Sequence, residues 1–233
     1  MAKIAFCTPS LSGPLKQNIE AMEQSIPLII DAGFEECYIQ EIGCPYISHA
    51  RATMLRKALD QKADIIVFID YDLSWRSRDL LDLVQTEGDV VAGLYRYKKD
   101  EEEYMGCHET MADGRPLLYP DETIVGYRVP GGFLKVTKEA VDKFMRHYPE
   151  LIYGTRYNPS VDLFNHGAID GVWYGEDMAF SKRWKDCGGE IKILQDLSLV
   201  HHTKDKEYPG NYHEYLMRQP GGINFKEEEK IDG

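Results

Sequence analysis

Apolar and polar positions alternate along the first hundred residues in two interleaved rhythms. Short apolar runs at 3–9 (KIAFCTP), 37–42 (CYIQEI), 64–70 (DIIVFID) and 89–95 (DVVAGLY) have the length and β-branched content of strands. Between them the apolar residues recur at helical spacing. Leu15, Ile19, Met22, Ile26 and Ile29 or Ile30 mark one helix, which contains Pro27 and closes at Gly33. Segments 47–61 and 77–86 carry the same period. Strands alternating with helices predict a parallel sheet covered on both faces.

Beyond residue 95 the rhythm changes. RYKKDEEEY (96–104) reads as a charged loop, and 115–119, 123–129 and 132–136 as short antiparallel strands. Helices are expected at about 138–147 and 175–187, and a late strand at 190–194, EIKIL. There is no internal repeat and no long linker. The expectation is one domain over 1–225, with a nucleotide-binding half at 1–95 and an acceptor-side half at 96–225. A frayed, solvated tail at 226–233 completes it.

Composition adjusts this picture only modestly. At 233 residues, 43% hydrophobic and 28% charged, the chain suits a globular protein with a sizeable core. No apolar run reaches the roughly 20 residues of a membrane span. The opening MAKIAFCTPS enters a strand directly and lacks the pattern of a secretory signal. Five scattered cysteines without CxxC spacing read as reduced thiols, so the expected location is cytoplasmic. A net charge of −12 disfavours general nucleic-acid affinity.

The candidate chemistry gathers where a parallel sheet binds its ligands, beyond the carboxyl ends of the strands. Thr8-Pro9, Glu41 and Asp70-Tyr71-Asp72 fall there. Asp70 and Asp72 supply hard oxygen ligands suited to Mg2+ or Mn2+ shared with phosphates. Equally, Asp72 could open a solvated turn that caps the next helix. Arg51 falls among Ile47, Ala50, Met54, Leu55 and Ala58 on the sheet-facing side of its helix. There it either reaches a carboxylate or phosphate, or makes a structural ion pair. Glu176 and Asp177 open another helix, where acids complement the macrodipole. Asp177 shares a face with Phe180, Trp184 and Cys187, so it points inward as a candidate general base. His201 and His202 follow a strand-like stretch, and Gly131-Gly132 precede another. No P-loop or G-x-G-x-x-G string occurs.

In order along the chain, FCTP, ARATMLRKAL, DIIVFIDYD, GGFLKVTKEAVDKF and GEDMAFSKRWKDCGGEI followed by HH resemble the GT-A-fold glycosyltransferases, especially family 2-like enzymes. The resemblance spans about residues 3–210 and extends to the small glycosyltransferases of phages and large viruses. It implies an α/β GT-A (nucleotide-diphospho-sugar transferase) fold: a mostly parallel central sheet, helices on both faces, and a small antiparallel elaboration. It further implies a metal-dependent transfer of a sugar from a nucleotide-diphosphate donor, UDP- or GDP-linked, to an acceptor hydroxyl on a glycan, a lipid-linked molecule or a modified base. Thr8, Pro9, Glu41, Arg51, Asp70 and Tyr71 would border the nucleotide. Asp70 and Asp72, with His202 or His201, would hold Mn2+ or Mg2+. Asp177 would be the base of an inverting reaction, with Glu176 beside it, and Gly131, Gly132 and Trp173 would border the acceptor. The family's closing pattern H-x-G-x-x-x-Y-x-G fits His202, Tyr208 and Gly210, but Lys204 stands at the first glycine, so the choice of histidine stays open. Rival readings are a nucleotidyltransferase and a non-catalytic nucleotide-sugar-binding module.

Overall fold

Strand alternation decides which side chains enter which of two cores. The computed structural model describes residues 1–219, so the expected tail at 226–233 lies outside the described residues. The chain begins β1 (Lys3–Ser10), α1 (Lys16–Asp31), β2 (Glu35–Ile42), α2 (Ile47–Asp60), β3 (Ile65–Ile69), β4 (Leu73–Trp75), α3 (Ser77–Gln85) and β5 (Val90–Gly93). It continues with β6 (Cys107–His108), β7 (Ile124–Arg128), β8 (Phe133–Thr137), α4 (Lys138–His147), β9 (Ile152–Thr155), β10 (Asn158–Val161), β11 (Gly167–Ile169) and β12 (Val172–Tyr174). It closes with α5 (Glu176–Asp186), β13 (Lys192–Leu194), β14 (Ser198–His202), β15 (Glu207–Asn211) and α6 (Tyr212–Arg218).

The main sheet has eight strands in the order β2-β1-β3-β8-β5-β13-β7-β6. β1 pairs in parallel with β2 and β3, and β5 with β13, while β8 runs antiparallel between β3 and β5. The expected mostly parallel α/β sheet is therefore present. The stretch at 132–136, however, lies in the middle of that sheet rather than in a separate antiparallel elaboration. Ala5, Cys7, Ile66, Phe68, Ala92 and Leu134 pack on one face with Met54, Leu55, Phe144, Phe180 and Trp184. Ile4, Phe6, Val67, Ile69, Val91 and Phe133 pack on the other with Met22, Ile29, Leu80 and Leu83. Successive residues serve opposite faces, as the pleat requires.

Several elements were not expected from the sequence. The segment 115–119, expected as a strand, contributes only isolated bridges, Thr110 to Pro116 and Leu118 to Ile124. Two hairpins, β9–β10 and β11–β12, occupy 152–174. The second turns through Asp170 (φ 52°) and Gly171 (φ 79°), left-handed values that suit an Asp-Gly hairpin turn. A small sheet ordered β15-β14-β4 places His201 and His202 inside a strand rather than after one. No helix among the described residues is long and apolar enough to cross a membrane.

The small sheet is pinned to α3 by Asp79, which is 1% exposed. Its carboxylate accepts from the Arg76 backbone N–H at 3.0 Å, from Arg76 Nη2 at 2.7 Å and from the Ser198 backbone N–H at 3.1 Å. Asp79→Ala leaves the Arg76 and Ser198 donors without this acceptor. It is expected to lower the unfolding free energy by about 1–3 kcal/mol in urea titrations.

Candidate active site

β3 leaves the sheet core at Ile69 and β4 begins at Leu73, so Asp70, Tyr71 and Asp72 form the corner between two sheets. The two acids have different surroundings. Asp70 Oδ1 accepts from Arg51 Nη2 at 3.0 Å, and its Oδ2 accepts from the Tyr95 hydroxyl at 2.9 Å. Both donors are buried, Arg51 at 3% and Tyr95 at 1% exposure. Burial, and the Asp70 charge after it, hold the Tyr95 phenol well above its ordinary range, so it stays a neutral donor. Asp72 is also buried, with His201 Nε2 3.5 Å from Oδ1 and Lys98 Nζ closing on Oδ2. Burial would raise the Asp72 carboxyl; its contacts with His201 and Lys98 outweigh that and hold it below the ordinary range.

Arg51 joins this corner to α5. Its Nη1 donates to Glu176 Oε1 at 3.2 Å, its Cζ lies 4.8 Å from the centre of the Phe164 ring, and its Nε has no partner. Burial opposes the guanidinium's charge, but Asp70 and Glu176 more than offset it and its pKa rises. The backbone that closes over this bridge must be glycine. A Cβ at Gly131 would sit 2.7 Å from Arg51 Nη1, and one at Gly132 would sit 2.2 Å from Asp70 Oδ2 and from the Tyr95 hydroxyl.

Asp177, next along α5, is half-buried, and its Oδ1 accepts from the Met178 N–H at 2.8 Å. Burial first, then the adjacent Glu176 charge, push its carboxyl above the ordinary range, with Arg51 pulling the other way. Asp177 lines a cavity of about 220 Å³ with Tyr97, Met105, Arg128, Pro130 and Met178.

Adjacent strand residues point to opposite sides, so only one of the paired histidines can face Asp72. That one is His201. Its Nδ1 lies 2.8 Å from the Arg96 carbonyl, which can only accept, so the proton sits on Nδ1. Nε2, the other ring nitrogen, is the one that faces the Asp72 carboxylate. His202 turns away, its Nε2 2.7 Å from Ser74 Oγ and its Nδ1 3.4 Å from Glu207 Oε1. Burial lowers its pKa.

The remaining expected residues are spread around this core. Thr8 lines a cavity of about 430 Å³ with Asn18, Met22, Ile26, Tyr38 and Gln40. Asn18 Nδ2 donates to the carbonyls of Asp70 and Leu73, both at 3.0 Å, so that cavity adjoins the acid pair. Pro9 is buried opposite Glu41 in register, and Glu41 pairs with Lys57 at 2.8 Å. The Tyr71 carbonyl accepts from the Leu15 N–H at 2.9 Å and holds the loop after β1. Trp173 is 70% exposed on β12, 6.1 Å from the His166 ring. Tyr95, Lys98, Arg128 and Asn18 were not anticipated. Lys98 and Arg128 lie in segments without strong periodicity, and only tertiary pairing brings them here.

Among the described residues no three His, Cys, Asp or Glu side chains close around one point. Asp72 Oδ1 and His201 Nε2, 3.5 Å apart, provide two protein ligands side by side. Such a pair fits a Mg2+ or Mn2+ ion that takes its other ligands from water and substrate phosphates.

No family model matches the chain, and no curated protein matches it. Solved structures do. A Drosophila beta-1,4-galactosyltransferase 7 variant, crystallised with manganese, UDP-Gal and xylobiose, is 15% identical over 98% of this chain and 79% of its own, with a TM-score of 0.43. S. aureus TarS is 9% identical over 92% of this chain and 62% of its own, with a TM-score of 0.43. An inositol-1-phosphate CTP transferase from T. maritima is 9% identical over 84% of this chain and 88% of its own, with a TM-score of 0.40. The first is a galactosyltransferase and the third a CTP transferase. At these identities the functional reading rests on the side chains described above.

Gly132→Ala tests the closure over Asp70. The added methyl must displace Asp70 or Tyr95, and it is expected to lower stability by about 1–3 kcal/mol, measured by denaturant unfolding.

Proposed function

We propose that this chain is a metal-dependent glycosyltransferase that moves a sugar from a nucleotide-diphosphate donor to an acceptor hydroxyl with inversion. The observation that carries the reading is the division of roles at the exit of β3. Asp70 is locked to Arg51 and Tyr95, while Asp72 faces His201 Nε2 and a lysine on the 96–104 loop. A divalent cation would take Asp72 Oδ1 and His201 Nε2 as ligands in place of their present contact.

The cavity beside Thr8 and Asn18 would take the nucleoside, placing its diphosphate at the corner of Asp70 and Asp72. A bound divalent cation would supply charge stabilisation for the leaving diphosphate. Lys98, released from Asp72, is within reach of the same phosphates and adds a second positive charge. Arg51 has both Nη groups committed to Asp70 and Glu176, so it positions the acids rather than binding phosphate. Asp177 lies in the adjoining cavity, where its carboxylate would take the acceptor hydroxyl proton. Its raised pKa makes it a stronger base than an ordinary aspartate. A nucleotidyltransferase would use a basic loop after β1. Here Lys16 points into solvent, its side chain 85% exposed and paired with Glu20 at 3.2 Å.

Asp72→Ala and His201→Ala are each expected to lower Mn2+-stimulated turnover of UDP- or GDP-sugars by about 100-fold or more. His202→Ala, which loses the contacts with Ser74 and Glu207 and none with the Asp72 side chain, should keep its metal dependence. Equal losses in His201→Ala and His202→Ala would contradict the assignment. Nucleotide release in a sugar-donor panel with and without Mn2+ reads all three.

Asp177→Asn should abolish transfer and raise the melting temperature at neutral pH. The folded pKa of Asp177 lies above its unfolded value, so its ionisation works against folding. That penalty is absent at pH below the unfolded pKa and is fully developed above the folded one. The same shift places the acid limb of the transfer rate above the ordinary aspartate range near about 4. An acid limb at the ordinary value, or a variant no more stable than the parent at neutral pH, would rule out this role.

A further inference from the structure

The cavity lined by Asp177 contains a cation that the transfer step does not use. Arg128 closes β7 opposite Cys107 of β6, and its Nε donates to the Cys107 sulfur at 3.4 Å. Its Cζ lies 5.4 Å from the centre of the neighbouring Tyr127 ring. These contacts fix the stem of the guanidinium. Among the described residues they leave Nη1 and Nη2 without a carboxylate partner. Elsewhere among the described residues Arg51, Arg56, Arg76, Arg78, Arg115 and Arg218 each pair with an acid, while Arg96 and Arg183 donate to carbonyl oxygens; of these arginines only Arg128 shares a cavity with Asp177.

Arg128 and Asp177 line the same space of about 220 Å³ and do not pair with each other. Tyr97, Met105, Pro130 and Met178 supply apolar walls suited to the faces of a small ring. A ligand that satisfies both ends has a hydroxyl for the carboxylate and an anion for the guanidinium fork, whose geometry matches carboxylate and phosphate oxygens. We infer that the acceptor is an anionic sugar or polyol, carrying a carboxylate or phosphoester that Arg128 grips while Asp177 receives the hydroxyl. This inference rests on the reading of Asp177 as the acceptor base and adds the acceptor's charge to it.

The test titrates the full-length chain with glucuronate, glucose 6-phosphate and glucose, followed by ligand-observed NMR. At least one of the two anions is expected to bind about tenfold or more tighter than glucose, the change that one charge-assisted hydrogen bond contributes. Which anion binds separates carboxylate from phosphoester. Arg128→Gln should remove the preference by weakening the anion alone, and Arg128→Lys should restore part of it. Retained thermal stability in both variants certifies the fold. Equal or absent binding of all three probes overturns the inference, as does a preference that survives Arg128→Gln. Metal-dependent donor hydrolysis without acceptor, measured in parallel, reports on the transfer reading alone. Its loss alongside an intact anion preference would overturn only that reading.

Discussion

The site depends on one buried guanidinium. Arg51 stands on the sheet-facing side of α2, 3% exposed, and holds an acid from the end of β3 with one Nη and an acid from the start of α5 with the other. Without it, Asp70 and Glu176 would be two carboxylates facing an apolar wall, and desolvation with mutual repulsion would drive them apart or neutralise them. Buried ion pairs are weak sources of stability. What this one provides is position. It sets the first turn of α5 against the exit of β3, and Asp177 follows Glu176 by one residue. Gly131 and Gly132 belong to the same constraint, because only backbone without a Cβ passes over the bridge at that distance.

Asp72 lies two residues from Asp70 yet belongs to a softer arrangement. Its partners come from β14 and from the loop after β5, which also supplies the Arg96 carbonyl that fixes the His201 tautomer. The hard pair, Arg51 and Asp70, sits in the core layer. The exchangeable pair, Asp72 and Lys98, sits where a side chain can leave without unfolding a strand. The proposed reaction needs this asymmetry, since a substrate-shared cation must enter and depart while the acids that orient the helix stay still.

Much of this was legible in the sequence because local rules carried it. The two-residue and helical periods of the first hundred residues follow from elements buried on known faces, and Asp70 and Asp72 follow an apolar strand directly. Arg51 could be read as inward-facing from its apolar neighbours at helical spacing, although its two acidic partners lie 19 and 125 residues away. Other features were decided by pairing at long range. Strand β8 has the composition of a hairpin strand but inserts between β3 and β5, a choice made by Leu134 and Val136 filling one core and Phe133 the other. Alternation says that His201 and His202 face opposite ways; only the register of β14 against β4 says which way. The hairpins at 152–174 bury too little apolar surface to leave a strong pattern.

The charge distribution completes the account. A net charge of −12 gives the surface no general affinity for polyanions, yet the proposed donor and acceptor are both negative. Recognition in such a protein rests on a few cations whose acidic partners differ in number. Arg51 is fully neutralised by its partners and orients. Lys98 is neutralised by one acid it can exchange. Arg128 has no acid to exchange. Graded from locked to free, the three cations follow the order in which a transferase would need them: to build the site, to receive the leaving group, and to choose the acceptor. The bulk acidity then works in favour of selectivity, because it repels anions everywhere except at these points.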